Sequence, residues 1–308
     1  MGLAPDIRRV KPRAPFAWAM PRGPIDPRDA PGEPGSPVAP PFPDILIASG
    51  RRAVPYMRAV KRASGGRTFT FFLKDPRIGP GAADLIWVQE HDRLRGPNVL
   101  TSLTAPHRIS AARLAEARAR PDPRIAGLPR PRVAVLAGGD SRHHRFAPGD
   151  AERLMGGLRD LAASGATLAI TASRRTPAAL LAELRALAHA PHFLWDGTGP
   201  AGDNPYLALL AGADAVVVTA DSTNMVGEAA ATGVPILVFE PSGGHAKIAR
   251  FLAELTRRGA VRPFAGRLED YAYQPLDSTP EIAEAARAAL ARHLAAVQNS
   301  LQTDRPES

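Results

Sequence analysis

The chain has 308 residues, 44% of them hydrophobic, with 39 Lys and Arg against 30 Asp and Glu for a formal charge of +9. That length exceeds the usual single domain and predicts two domains, each with a substantial core. The absence of cysteine excludes disulfides and thiolate metal sites, and fits a reducing, cytoplasmic setting.

The basic residues are scattered rather than gathered in runs, which suits an anionic small molecule or peripheral contact with a membrane surface. Aromatics are only 6% and do not interleave with basic residues, so no nucleic-acid partner is expected. No run of about 18 apolar residues occurs, so a soluble protein is expected.

Residues 1–43 hold twelve of the 32 prolines. This forbids helix or central strand over most of the segment and predicts an extended wrap or a disordered lead. From Asp44 the pattern becomes strand (DILIAS), helix (near Arg51 to Ala63), then three strands (RTFTFFL, ADLIWV, NVLTSL). A helix near Ser110 to Ala119 closes a small α/β domain over 44–120, and the Pro and Gly density of 121–131 predicts a linker.

From Arg132 strands and helices alternate. Strands RVAVLAG, ATLAITA, HFLW, AVVVT and PILVF are separated by helices of about ten residues, which predicts a doubly wound parallel sheet over 132–277. A last Ala-rich helix within 278–300 is read as bracing the first domain, and 301–308 as a tail.

In such sheets ligands sit outside the carboxyl ends of the strands. Four strand ends here carry polar clusters. The first is Gly138-Gly139-Asp140-Ser141-Arg142, whose glycines are expected to admit a ligand close to the backbone, with Arg142 as a fixed positive fork. The second, Ser173-Arg174-Arg175, stands before a Pro-initiated helix and predicts phosphate charge. The third is Asp196-Gly197-Thr198-Gly199. The fourth is Thr219 to Asn224, where Asp221 or Ser222 is read as a helix N-cap, and where Asp221 and Glu228, seven apart, are expected to share a helix face. Each cluster also reads as a plain turn or cap.

His143 and His144, being adjacent, point apart and are read as surface or loop histidines. No G-x-S-x-G, P-loop, G-x-G-x-x-G or D-x-D pattern is present, so no metal ligands and no cofactor are assigned, which leaves metal-free chemistry or none.

The blocks PDILIASGRRAVPYMRAVKR, KDPRIG, QEHDRLRGPNVLTSL, GGDSRHHRF, TASRRTP, FLWDGTG, NPYLALLAGADAVVVTADSTNMVGEAAATG and PFAGRLEDYAY resemble bacterial members of the mitochondrial-fission protein family named for the plant Elongated Mitochondria protein. The resemblance runs from about Phe42 to Leu290. It implies two Rossmann-like domains arranged as in the B-type (GT-B-like) glycosyltransferases, with a nucleotide-sugar in the interdomain cleft. On this chain Glu228 would accept from ribose hydroxyls, while Ser222 and its neighbouring backbone amides would meet phosphate; Thr219, Asp221 and Met225 of the same block are assigned to the same nucleotide site. The D-G-K-x-G-H-x-x-Q-type loop with which the family usually begins is missing here, so no catalytic base is assigned. His91, Asp92 and His107 are the first-domain candidates.

Two functions remain open at this point. One is a protein that binds a nucleotide-sugar or a similar anionic nucleotide, with turnover by metal-independent glycosyl transfer left open. The other is a non-catalytic interaction protein linked to membrane-remodelling machinery, with its protein partner unknown.

Overall fold

The computed structural model describes residues 5–198 and 202–303. The chain divides into two compact units, Met1–Leu103 with Pro280–Ser308, and Thr104–Thr279.

In the first unit the Pro-rich segment packs as an ordered wrap. It contains a short helix, α1 (Ala14–Ala19), with Pro15 tolerated in its first turn. Met20 and Val38 are buried against Tyr56 and Val60 of α2 (Ala53–Ala63). The fully buried Asp26 accepts from the Arg13 guanidinium at 2.7 and 2.8 Å and from the Arg13 and Arg28 backbone N–H groups. A carboxylate with this many donors needs no water, which is how a segment poor in secondary structure stays folded.

The strands of this unit are β1 (Ile45–Ser49), β2 (Phe69–Leu73), β3 (Leu85–Gln89) and β4 (Val99–Ser102), parallel and in the order β1-β2-β3-β4. Their central members are apolar and buried: FTFFL in β2 and LIWVQ in β3. β1 is an edge strand, and Ile47 on it is 61% exposed.

The second unit begins with α3 (Ala111–Ala119), capped by Ser110, and α4 (Pro123–Ala126), capped by Asp122. The segment 121–131, expected as a linker, is part of this unit. Its Pro and Gly mark a cap and a helix end, and Arg124 donates to the Asp203 carbonyl at 3.1 Å.

There follow β5 (Arg132–Ala137), α5 (Pro148–Ala163), β6 (Thr167–Ala172), α6 (Ala178–Leu187), β7 (Phe193–Trp195), α7 (Tyr206–Gly212), β8 (Ala215–Thr219), α8 (Thr223–Ala230), β9 (Ile236–Phe239), α9 (Ala246–Arg257) and β10 (Val261–Pro263). α3 packs on α7, where Arg118 donates to the Ala211 carbonyl. The short β10 was not expected from the sequence. The final helix, α10 (Thr279–Thr303), groups with the first unit from Pro280 onward, and His293 on it meets the Arg67 carbonyl and the Phe69 ring. The tail residues 304–308 lie outside the described residues.

The sheet order is β10-β9-β8-β5-β6-β7, all parallel. β5 is central, with Val135 in register with Ile170 on one side and Val217 on the other. Successive strands run outward from β5 to β7, then the chain returns to β8 and runs outward the other way. That order is the dinucleotide-fold order, and it reverses between β5 and β8. The crevice beyond the carboxyl ends of those two strands is where a doubly wound sheet leaves room for a ligand.

Candidate functional site

Gly138 and Gly139 follow β5, Thr219 ends β8 and Asp221 follows it, so the two polar clusters meet at the reversal. Thr219 Oγ1 accepts from the Gly138 N–H at 2.8 Å and donates to Asp221 Oδ1 at 2.6 Å. Asp221 Oδ2 accepts from the Gly139 N–H at 3.2 Å and from Arg175 Nη2 at 2.9 Å. Arg175 also donates through Nη1 to the Asp140 carbonyl, and Thr176 Oγ1 donates to the Gly138 carbonyl. The Asp221 side chain is fully buried.

This arrangement corrects two expectations. The glycines admit the protein's own groups: a Cβ on Gly138 would stand 2.0 Å from Asp221 Oδ1, and one on Gly139 would stand 1.9 Å from the Arg175 carbonyl oxygen. Arg175, expected to supply charge to a phosphate, is tied to Asp221. An internal carboxylate thus holds the amide and guanidinium that a phosphate would use.

Asp221 and Glu228 do not share a helix face. Asp221 precedes α8, and Ser222 is its N-cap, accepting from the Met225 N–H. Glu228, half-buried on α8, accepts from the Tyr206 hydroxyl at 2.7 Å. Tyr206 opens α7 after the connection from β7, so this pair stands at the same carboxyl edge. Burial, then the Glu228 charge and hydrogen bond, push the Tyr206 phenol well above its usual range and keep it a donor.

Arg142 and Arg174 are exposed, Ser173 accepts from the Arg175 N–H, and Met225 is half-buried. Asp196 lies at the far strand β7. It accepts from Thr198 and Arg185, which hold its carboxyl down at about 2 against burial. It forms a turn away from the crevice, and Gly199 of that cluster lies outside the described residues.

A fifth strand end, Pro241 to His245 after β9, joins the loop after β5. Arg145 N–H donates to the Ser242 carbonyl, Gly244 N–H to the His143 carbonyl, and Asp150 accepts from Ser242, Ala147 and Arg153. Gly243 has φ +101°, and a Cβ there would stand 2.6 Å from the His143 oxygen.

The His143 and His245 rings are 4.4 Å apart. Burial, then His245, Arg142, His144 and Lys247, push the His143 imidazole below its usual range, the mark of an electropositive spot. Of the two alternatives for His144, surface or loop, the loop is the one found: it is only 3% exposed, in a loop whose backbone pairs with Gly243. Gly243-Gly244, four residues past the end of β9, is the sequence signal for this loop; nothing in the sequence singles out Tyr206.

Of the first-domain candidates, His91 and Asp92 lie in the loop after β3. His107 belongs to the second unit, where its backbone N–H donates to Thr279 Oγ1 and its Nδ1 accepts from the Ile109 N–H. Its side chain is buried, with Nε2 3.7 Å from Asp277 Oδ1. Among the described residues no cluster of three or more His, Asp or Glu is placed to hold a metal ion, and no helix is long and apolar enough to cross a membrane.

The family model described as Mitochondrial fission ELM1 matches residues 1–290. The chain belongs to that family. The match takes in the Pro-rich segment, so the wrap described above lies inside the family region.

The ELM1-family chain is 30% identical over 277 residues to the Mitochondrial fission protein ELM1 of Arabidopsis thaliana, covering 81% of this chain and 64% of that one. It is 31% identical over 165 residues to an uncharacterized protein of Rickettsia prowazekii, covering 51% of this chain and 46% of that one. It therefore spans less than two thirds of the length of either relative.

Among solved structures, UDP-GlcNAc 2-epimerase from Neisseria meningitidis matches with TM-score 0.48 and 11% identity, over 73% of this chain and 65% of that one. MurG of Acinetobacter baumannii matches with TM-score 0.40 and 16% identity, over 83% and 70%. The fold assignment rests on the strand orders above.

Proposed function

We propose that this ELM1-family chain binds a nucleotide-sugar at the carboxyl edge of its six-stranded sheet and transfers the glycosyl group without a metal ion. The observation that carries the reading is the reversal of strand order between β5 and β8, with the half-buried Glu228 at the same edge. The Tyr206 hydroxyl orients the Glu228 carboxylate, whose other oxygen is directed to ribose hydroxyls. The phosphates face the electropositive group formed by Arg142, His143 and His245, with Arg174 on the neighbouring loop. Asp221 organises the crevice by holding Gly139 and Arg175 in place.

The same Asp221–Arg175 pairing favours a second reading, a non-catalytic interaction protein, because groups that could meet phosphate are engaged with each other.

The test is a thermal-shift series with uridine, guanosine and adenosine diphosphates and their glucose conjugates. A ligand at a hundred times its Kd stabilises by about 2.7 kcal/mol, a readily measured rise. Glu228→Gln removes most of that rise, and more of it for ribonucleotides than for 2′,3′-dideoxy analogues, because an amide accepts through one oxygen only. No rise with any nucleotide, or an equal loss for both sugar types, overturns the binding reading. Binding without turnover of the conjugate leaves the interaction reading in its place.

A further inference from the structure

A cavity of about 420 Å³ lies in the first unit, and its wall includes Arg22, Arg58, Arg77, Ile78, Gly79 and Gly81. The three arginines come from three separate segments: the Pro-rich wrap, α2 and the loop that leaves β2. All three are exposed, and among the described residues no carboxylate hydrogen-bonds or ion-pairs with the guanidinium group of any of them, the Asp75 carboxylate being taken up by the Arg77 backbone N–H. Three unpaired guanidinium groups around one concavity repel each other, and the geometry focuses their field on whatever anion enters.

The loop carrying Arg77 is built with strain. Lys74 (φ +84°) and Arg77 (φ +62°) both lie in the left-handed region that favours glycine. They are held there by hydrogen bonds from the Lys74 N–H to the Trp87 carbonyl and from the Arg77 N–H to Asp75 Oδ1. Such strain persists only where surrounding contacts enforce it, and here it sets the backbone from which Arg77 reaches the cavity wall.

Gly81 has an ordinary φ, and a Cβ on it would meet nothing within 4 Å. Neither backbone conformation nor packing requires glycine there. Its effect is to leave the cavity wall bare.

We infer that this cavity is a second anion site, specific for a phosphoryl group such as a phosphomonoester or a diphosphate. Ligand sites run to roughly 300–1,000 Å³, and this one falls within that range. A carboxylate would neutralise one of the three charges. A phosphoryl group carries about −1.5 to −2, and its oxygens accept from the guanidinium forks in pairs. The phosphoryl group can be a free phosphate compound or a lipid headgroup. The inference does not depend on the nucleotide reading, because every residue in it belongs to the first unit.

The test uses the full chain and two probes: pyrophosphate in calorimetry, and phosphatidylcholine vesicles with and without phosphatidic acid in a flotation assay. The variants are the double substitution Arg58→Gln with Arg77→Gln, and separately Gly81→Asp, which places a carboxylate in the cavity. Arg287→Gln, on α10 of the same unit, is the control for net charge. Each lost charge-assisted hydrogen bond weakens binding by about tenfold or more, so both cavity variants lose binding by at least that factor while the control changes by less than about twofold. Loss confined to pyrophosphate identifies a soluble ligand, and loss confined to phosphatidic acid vesicles identifies a lipid; either supports the site. If neither probe binds the parent, or if both cavity variants behave like Arg287→Gln, the inference is wrong. Unchanged UDP stabilisation in the variants separates this outcome from failure of the nucleotide reading.

Discussion

The Asp221 carboxylate and the Arg175 guanidinium are 2.9 Å apart across the reversal of the six-stranded sheet. One partner is fully buried and the other is 44% exposed, so their substitutions are unequal. Asp221→Ala removes the acceptor of three hydrogen bonds, from Gly139, Thr219 and Arg175, and should cost about 2–4 kcal/mol. Arg175→Ala leaves Asp221 its other two donors and should cost about 1–2 kcal/mol. Urea unfolding of the two variants checks the order; equal costs would show that Arg175 is the dominant support of the loop.

Two adjacent glycines in α5 should respond in opposite senses. A Cβ on Gly156 meets nothing within 4 Å, and Gly156→Ala should stabilise by about 0.5–1 kcal/mol through helix propensity. A Cβ on Gly157 would stand 2.8 Å from the Phe264 ring and 3.1 Å from Gly266 Cα, so Gly157→Ala should destabilise by about 1–3 kcal/mol. The melting temperatures should move in opposite directions.

Acid should unfold the protein through two buried carboxylates. For Asp26, the Arg13 hydrogen bonds hold the carboxyl far below its usual range. For Asp150, burial alone would raise the pKa, but donors from Arg153, Ser242 and Ala147 outweigh it and hold the group at about 2. A folded-state pKa below the unfolded one contributes stability that is present above the unfolded value and is lost as pH falls toward the folded one. Stability should therefore be flat from neutral pH down to about 5 and fall below about 4. Asp150→Asn should flatten the part of the fall nearest pH 3, seen in melting curves collected across that range.

Ile47 offers an apolar side chain on the open edge of the four-stranded sheet, where unpaired backbone groups already favour pairing with another chain. Ile47→Lys should lower self-association in sedimentation velocity while changing stability by no more than about 0.5 kcal/mol. Unchanged association would place the contact elsewhere.

The position of every long strand in the second unit could be read in the sequence, because an apolar run bounded by Gly, Pro or a capping residue is a local signal. VAVLA of β5 and AVVVT of β8 are buried throughout as their composition requires. So could the ends of those strands, where polarity changes abruptly. What each polar residue touches could not. Asp221 meets Arg175 from 46 positions away only because β8 returns to lie beside β5. Strand order is a non-local property that leaves no mark on spacing. The same reason explains His144, buried by pairing with Gly243, and His107, which joins the second unit. It also explains the Pro-rich wrap, ordered by the Arg13–Asp26 ion pair and by burial of Met20 and Val38 against α2. Local chemistry determined which segments form elements and where polar groups cluster. The tertiary structure decided which of those groups are engaged with each other, as Asp221 is with Arg175 and Glu228 with Tyr206, because only strand order brings them to one edge of the sheet.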